Sequence, residues 1–233
     1  MKKQKKIFIT GTDTDVGKTL ITTTLIHQLQ SKNQTVTAIK PVAAGCDVID
    51  GKLVNSDALI LQKAMNQKLS YAQVNPIALK SAIAPHIAAT EEGIQLSVEN
   101  LQKECNLQQY QSDFILVEGA GGWLVPLNKQ ETFADFVQAE SFEVILVVAM
   151  KLGCINHALL TIQNIKMRGL KLVGWIANST SSAMPYLKEN IQTINSVIHS
   201  PLLAEIPFID SDSPDSDNFI KKASSYVNIA SLL

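Results

Sequence analysis

Gly11-Thr12-Asp13-Thr14-Asp15-Val16-Gly17-Lys18-Thr19 is the stretch that decides the fold. A short apolar run, Ile7–Ile9, leads into it, and Ile21, Leu25 and Leu29 follow at the i, i+4, i+8 spacing of one helix face. A strand, a glycine-bounded loop and a helix in that order make a phosphate-binding loop. Its glycines let backbone N–H groups curl around phosphate oxygens, and the helix N-terminus adds its positive dipole end. Lys18 is placed to reach the β- and γ-phosphates, and the Thr19 hydroxyl to ligate Mg²⁺. Five residues separate the two glycines, one more than the usual pattern. The alternative is a glycine-rich turn with a surface lysine; the ordered strand, GKT and helix weigh against it.

Outward from this loop, short β-branched runs alternate with helical patterns. Expected strands are Lys6–Thr10, Val36–Lys40, Phe114–Glu118, Val144–Ala149, Leu172–Ala177 and Leu202–Ile206. Two further helix faces are marked by Ile155, Leu159, Ile162 and Ile165, and by Leu187, Ile191, Ile194 and Ile198. Strands apolar on both sides, each followed by a helix, predict an α/β fold: a mostly parallel sheet covered by helices on both faces, like the P-loop NTPases. Residues 41–112 are interrupted by Pro41, Pro76 and Pro85, with helices expected over Asp57–Ala64 and Glu91–Glu104. They read as an insertion on one domain spanning 1–233. Asp210–Asp217 reads as an acidic surface loop before a last helix.

Composition narrows the function classes. The net charge of −1 lacks the Lys/Arg surplus that phosphate-backbone binding needs, which excludes a dedicated nucleic-acid binder. Hydrophobic residues make up 46% of the chain, too many for disorder. Cys46, Cys105 and Cys154 are odd in number and form no CxxC pair, which points to a reducing compartment. Lys2, Lys3, Lys5 and Lys6 precede too short an apolar run for a secretory signal. Val144–Met150 is too short to span a bilayer. A soluble cytoplasmic protein is expected.

A second motif is Phe114-Ile-Leu-Val-Glu118-Gly119-Ala120-Gly121-Gly122. A buried strand ending in an acid puts a carboxylate at the sheet's carboxyl edge, where ligands bind in open α/β sheets. Glu118 could hold Mg²⁺ there, and the glycines would let backbone approach a ligand. Lys40 falls at the same edge, either as a functional cation or as a surface residue. Asp57 is either a helix N-cap or a further Mg²⁺ ligand.

GTDTDVGKT, IKPVAAG, NSDA, VNP, APHIAA, VEGAGGWLVPL, VILVVAMKLGCINHALLT, WIAN and LLAEIP occur in that order. Over roughly residues 7–209 the chain resembles the dethiobiotin synthetases, which write their phosphate loop with the same extended spacing. The resemblance implies ATP- and Mg²⁺-dependent carboxylation of 7,8-diaminononanoate by CO₂. The carbamate then attacks the γ-phosphate, and the second amine closes the cyclic urea. It implies Lys18 and Lys40 as catalytic cations and Thr19, Asp57 and Glu118 as metal positions. For the nucleotide it implies Thr12, Asp15, Val16, Gly17, Lys18, Thr19, Leu20, Gly119, Ala120 and Gly121. Asn178 and Ser179, with Pro207, Phe208 and Ile209, are implied at the base. For the diamine it implies Thr12, Lys40 and position 44, where Ala44 replaces a frequent serine. Leu152, Gly153, Cys154 and Asn156 are implied at a homodimer interface, offering helix N-terminal donors to the carboxylate tail of the partner's substrate. Cys154 is expected to be a packing residue, not a nucleophile, and the segment holding His86 is expected to line the substrate side.

Two other readings bear on the same motifs. A switch of the partitioning-ATPase type would carry a second lysine early in the loop, where Thr12 and Asp13 stand. An amidotransferase synthetase would need a glutaminase domain with a cysteine nucleophile.

Overall fold

The structure is a computed structural model that describes residues 4–182, 184–210 and 216–233. Most of Asp210–Asp217 therefore lies outside the described residues. The chain opens with β1 (Lys5–Gly11), α1 (Lys18–Ser31) and β2 (Val36–Ile39). The next section holds β3 (Val42–Ala43), β4 (Asp47–Ile49), β5 (Lys52–Val54), α2 (Ser56–Ala64), α3 (Tyr71–Val74), β6 (Ile77–Ala78), α4 (Pro85–Glu91) and α5 (Val98–Cys105). Then come β7 (Phe114–Glu118), α6 (Phe133–Ala139), β8 (Glu143–Ala149), α7 (Cys154–Met167) and β9 (Leu172–Asn178). The last are α8 (Leu187–Val197), β10 (Leu202–Ile206) and α9 (Asp217–Ser224).

The main sheet has the order β10-β9-β8-β1-β7-β2, with every pairing parallel. Alternate residues of the central strands enter two separate cores. Phe8, Ile115, Val117, Val144, Leu146 and Val148 pack on one side, and Ile7, Ile9, Leu116, Ile145 and Val147 on the other. Both sides are apolar because helices cover both faces. Ile21, Leu25 and Leu29 of α1 join the second core, as their spacing predicts.

The structure departs from expectation in three places. The helix expected over Glu91–Glu104 is two helices. Gly93, at φ +69°, ends α4, and the Ser97 hydroxyl starts α5 by accepting the Asn100 N–H at 3.0 Å. Strand β2 stops at Ile39, because the Lys40 N–H leaves the ladder for the Val74 carbonyl at 2.8 Å. On α7 the buried stripe is Cys154, Ala158, Ile162 and Ile165, with Ile155 and Leu159 at its margin.

β1 lies between β7 and β8, so the chain crosses from one side of β1 to the other on passing from β7 to β8. A crevice opens outside the strand ends where such a crossing occurs.

Candidate active site

The phosphate loop leaves β1 at Gly11. A Cβ there would lie 2.5 Å from Val16 Cγ2 and 2.8 Å from the Asp13 carbonyl, so only glycine permits the fold-back. Gly17 takes φ +90° to start α1, with its Cα packed against the Asn178 side chain. Val16 turns down into the core, and the Asn178 amide donates to its carbonyl at 2.8 Å. Asp13 accepts the Thr14 N–H at 2.8 Å and Lys151 at 3.0 Å; the Lys151 bond holds its carboxyl below the ordinary value.

Three charges meet at the mouth of this loop. Glu118 is paired with Ile9 in the β7–β1 register, which brings it to the level of the loop, and it is fully buried. Its Oε1 accepts the Thr19 hydroxyl at 2.9 Å and the Lys40 ammonium at 2.6 Å. The same ammonium donates to Asp57 Oδ2 at 2.6 Å. Burial by itself would lower the Lys40 pKa, but the Glu118 and Asp57 carboxylates raise it well above normal. Burial likewise pushes the Asp57 carboxyl up, and Lys40 overrides that and holds it down. Lys18 is different. It is buried with no carboxylate in contact, and its Nζ lies 3.3 Å from the Asp13 carbonyl. Burial lowers its pKa, so a bound anion would relieve it.

Asp57 is in the first turn of α2, but the helix cap is Asn55, whose Oδ1 accepts the Ala58 N–H at 3.2 Å. The carboxylate of Asp57 is thereby left to the site. Thr19, Asp57 and Glu118 supply only oxygen donors, the set Mg²⁺ prefers. Glu118 Oε2 is buried without a hydrogen-bond partner, an acceptor that a cation would satisfy. These residues fit a magnesium ion.

A cleft of about 850 Å³ opens above these groups, within the range of small-molecule sites. Asp15, Gly17, Lys18, Thr19, Lys40, Ala44, Asp57, Ala120 and Gly121 line it. Glu118 is not in the lining but is bonded to Thr19 and Lys40, which are, and the Gly119 N–H donates to the Ile9 carbonyl at 3.0 Å. Thr12, Val16 and Leu20 stand outside the lining. Asn178, Ser179, Pro207, Phe208 and Ile209 gather at the ends of β9 and β10, joined by the Ser179 N–H to the Ile206 carbonyl at 2.9 Å. Leu152, Gly153, Cys154 and Asn156 sit at the start of α7, away from this chain's own cleft, and Leu152 is 99% exposed. Cys154 is buried, and burial raises its thiol.

Ala84 and Pro85, in the segment holding His86, stand on the far wall as expected; sequence reading missed the rest of it, Ala82, Ile83 and Leu124–Pro126, and also Thr14 and Asn55. Pro85 at the start of α4 was the available signal for that wall. His86, one residue on, instead lines a neighbouring cleft with Leu96 and Leu127.

The model of a family described as an AAA domain matches residues 5–216. The chain is 47% identical over 230 residues to the ATP-dependent dethiobiotin synthetase BioD of Cellvibrio japonicus (strain Ueda107), covering 99% of this chain and 98% of that protein. It is 44% identical over 215 residues to the protein of that name from Alteromonas mediterranea, covering 88% and 92%. Among solved structures it resembles the septum site-determining protein MinD complexed with Mg-ADP from Pyrococcus horikoshii OT3. The TM-score is 0.56 at 21% identity, covering 88% of this chain and 82% of that one. A ParA family ATPase from Chlorobium tepidum TLS gives 0.56 at 14% identity, covering 98% and 93%. At these identities the structures speak for the fold alone.

Proposed function

The chain belongs to the ATP-dependent dethiobiotin synthetase family, and on that premise we propose how its cleft performs the ATP-dependent closure of the ureido ring. The substrates are 7,8-diaminononanoate, CO₂ and ATP, with Mg²⁺ as the metal, and residues 1–233 act as one catalytic domain. The observation that carries this reading is Lys40, held at 2.6 Å from both Asp57 and Glu118 beside the phosphate loop.

The backbone N–H groups of Asp15–Leu20 and the Lys18 ammonium hold the phosphates at the N-terminus of α1. Lys18 becomes paired only when a phosphate arrives, so its charge acts on the ligand rather than on a protein carboxylate. Lys40 faces the transferring phosphoryl group and the carbamate oxygens, where negative charge accumulates. Thr19, Asp57 and Glu118 are the residues that would hold Mg²⁺, which when bound draws charge from the phosphate oxygens. Gly119, Ala120 and Gly121 let the chain approach the ligand. No side chain must act as a nucleophile, because the amine and the carbamate supply their own; positioning and charge do the work.

Asn178, Ser179 and Pro207–Ile209 frame the base. The Asn178 carbonyl oxygen and second amide hydrogen serve it, since the first hydrogen is bonded to Val16. Thr12, Ala44 and Lys40 meet the diamine. Its carboxylate tail reaches Leu152–Asn156 of a second copy in a homodimer. That is supported by the uncovered apolar face around α7, where Leu152, Leu160 and Met167 are exposed. In that block the Cys154 N–H is already bonded to the Lys151 carbonyl at 2.9 Å, which leaves its neighbours as donors. Among the described residues no helix is long and apolar enough to cross a membrane, and we place the enzyme in the cytoplasm.

Purified protein with the diamine, bicarbonate, Mg²⁺ and ATP is expected to yield dethiobiotin, ADP and phosphate in equal amounts, read by mass spectrometry and phosphate release. ATP turnover indifferent to the diamine would sink this reading.

A further inference from the structure

Behind the Lys40 clamp runs a chain of hydrogen bonds that the reaction itself does not use. The Asn55 N–H donates to the Tyr71 hydroxyl oxygen at 2.7 Å, and the Tyr71 O–H donates to Asn75 Oδ1 at 2.9 Å. Asn75 Nδ2 then donates to the Lys40 carbonyl at 2.8 Å and to Ile77 O at 3.3 Å. The chain closes on itself through the site: Asn55 caps α2, α2 carries Asp57, and Asp57 meets the Lys40 ammonium. Asn75 is 2% exposed, and a buried amide in a loop persists only where its bonds are made. The Tyr71 ring packs against the core beneath α1, which sets the position of its hydroxyl.

Lys40 needs such support. It has left the β2 ladder and stands before Pro41, so the sheet holds neither of its backbone polar groups. Instead the Val74 carbonyl takes its N–H and Asn75 takes its C=O. A lysine on a flexible four-carbon stem keeps its ammonium between two carboxylates only if its Cα and both acceptors are fixed. We infer that Tyr71 and Asn75 are positioning residues that set the Lys40–Asp57 separation and, through it, the geometry of the metal and phosphoryl site. The inference rests on the reading of this cleft as a Mg²⁺–nucleotide site.

Tyr71→Phe keeps the ring and removes the hydroxyl, so the Asn55 N–H and Asn75 Oδ1 both lose a partner. Gln73→Ala is the matched control. It breaks the Ser70–Gln73 capping box of the same helix, α3, and leaves the chain intact. Binding of Mn²⁺, as a probe for Mg²⁺, is measured by calorimetry on the full-length protein saturated with ADP, beside turnover at graded Mg²⁺. Tyr71→Phe is expected to weaken Mn²⁺ binding, and to raise the Mg²⁺ needed for half-maximal turnover, by about three- to tenfold. Asn75→Ser, cutting the chain at its other link, is expected to do the same. Gln73→Ala is expected to lower the melting temperature and move neither metal measurement. Parent-like Mn²⁺ binding in folded Tyr71→Phe or Asn75→Ser overturns the inference, as does an equal shift in Gln73→Ala. A parent protein that binds Mn²⁺–ADP but never closes the ring would defeat the ring-closure reading, and the Mn²⁺ comparison would still decide this one.

Discussion

The two edges of the parallel sheet treat charge in opposite ways. At the carboxyl edge Lys40 and Glu118 meet at 2.6 Å with side chains 7% and 0% exposed. At the amino edge Lys171 and Glu143 meet at 2.7 Å with 72% and 31% exposed. The distances are alike and the surroundings are not. An exposed pair trades water for a partner at almost no net gain. A buried pair cannot be separated without leaving one charge in a medium that does not solvate it. The carboxyl edge therefore carries charges whose strength is available to a ligand, and the amino edge carries charges that serve the surface.

Lys40→Ala tests this contrast where it is largest. Loss of the ammonium strands Glu118, so stability falls by about 3–5 kcal/mol in urea denaturation. Turnover falls about 10²- to 10³-fold in steady-state assays. Adding Glu118→Gln should recover much of the stability and none of the turnover. A Lys40→Ala enzyme with full activity would remove that residue from the mechanism.

Lys18→Met separates burial from pairing. Lys18 is buried without a carboxylate, so without nucleotide the variant should melt no lower than the parent. It should lose the stabilisation that ATP confers and about 10²-fold in turnover. A drop of about 4 °C without nucleotide, corresponding to ~1 kcal/mol or more, would show that the Lys18 bond to the Asp13 carbonyl holds the loop together.

Asp135 lies between the extremes. It accepts the Thr132 N–H, the Thr132 hydroxyl and Arg168, each at 2.7 Å. Burial pulls its carboxyl up, but the bonds from Arg168 and Thr132 hold it below its ordinary value. A carboxyl lowered on folding adds stability above its unfolded pKa of about 4, and that contribution drains away as pH falls through the folded value. Asp135→Asn should cost about 1 kcal/mol at neutral pH, and denaturation curves at falling pH should show the gap closing in acid. Lys171→Ala should change stability by less than about 0.5 kcal/mol, and less still at high salt. An effect as large as that of Asp135→Asn would break the contrast between the edges.

Much of the site was legible in the sequence because its parts are local. Gly11–Thr19 needs only a strand before it and a helix after it, and Phe114–Glu118 announces a buried strand ending in an acid. The split of Glu91–Glu104 was also written there, in Gly93 and Ser97, but a helical apolar pattern on either side masked the stop and the start. Of the far wall of the cleft, only Ala84 and Pro85 were legible, as part of the segment holding His86; Ala82, Ile83 and Leu124–Pro126 were not. Its residues are small or apolar, and their part comes from where two distant loops meet.

The sequence by itself determined the parallel sheet, the phosphate loop and the acid at the end of β7, since short-range periodicity and glycine placement specify each. It could offer Lys40 and Asp57 only as alternatives, surface lysine or site cation, helix cap or metal ligand. The tertiary structure decided where they stand. Asn55 took the cap, which freed Asp57, and the parallel register of β2 with β7, Ile39 opposite Val117, brought Glu118 beside Lys40. Burial of Lys40 and Glu118 there turned three ordinary charges into one coupled group. That coupling depends on distance and on the exclusion of water, and neither is a property of sequence spacing.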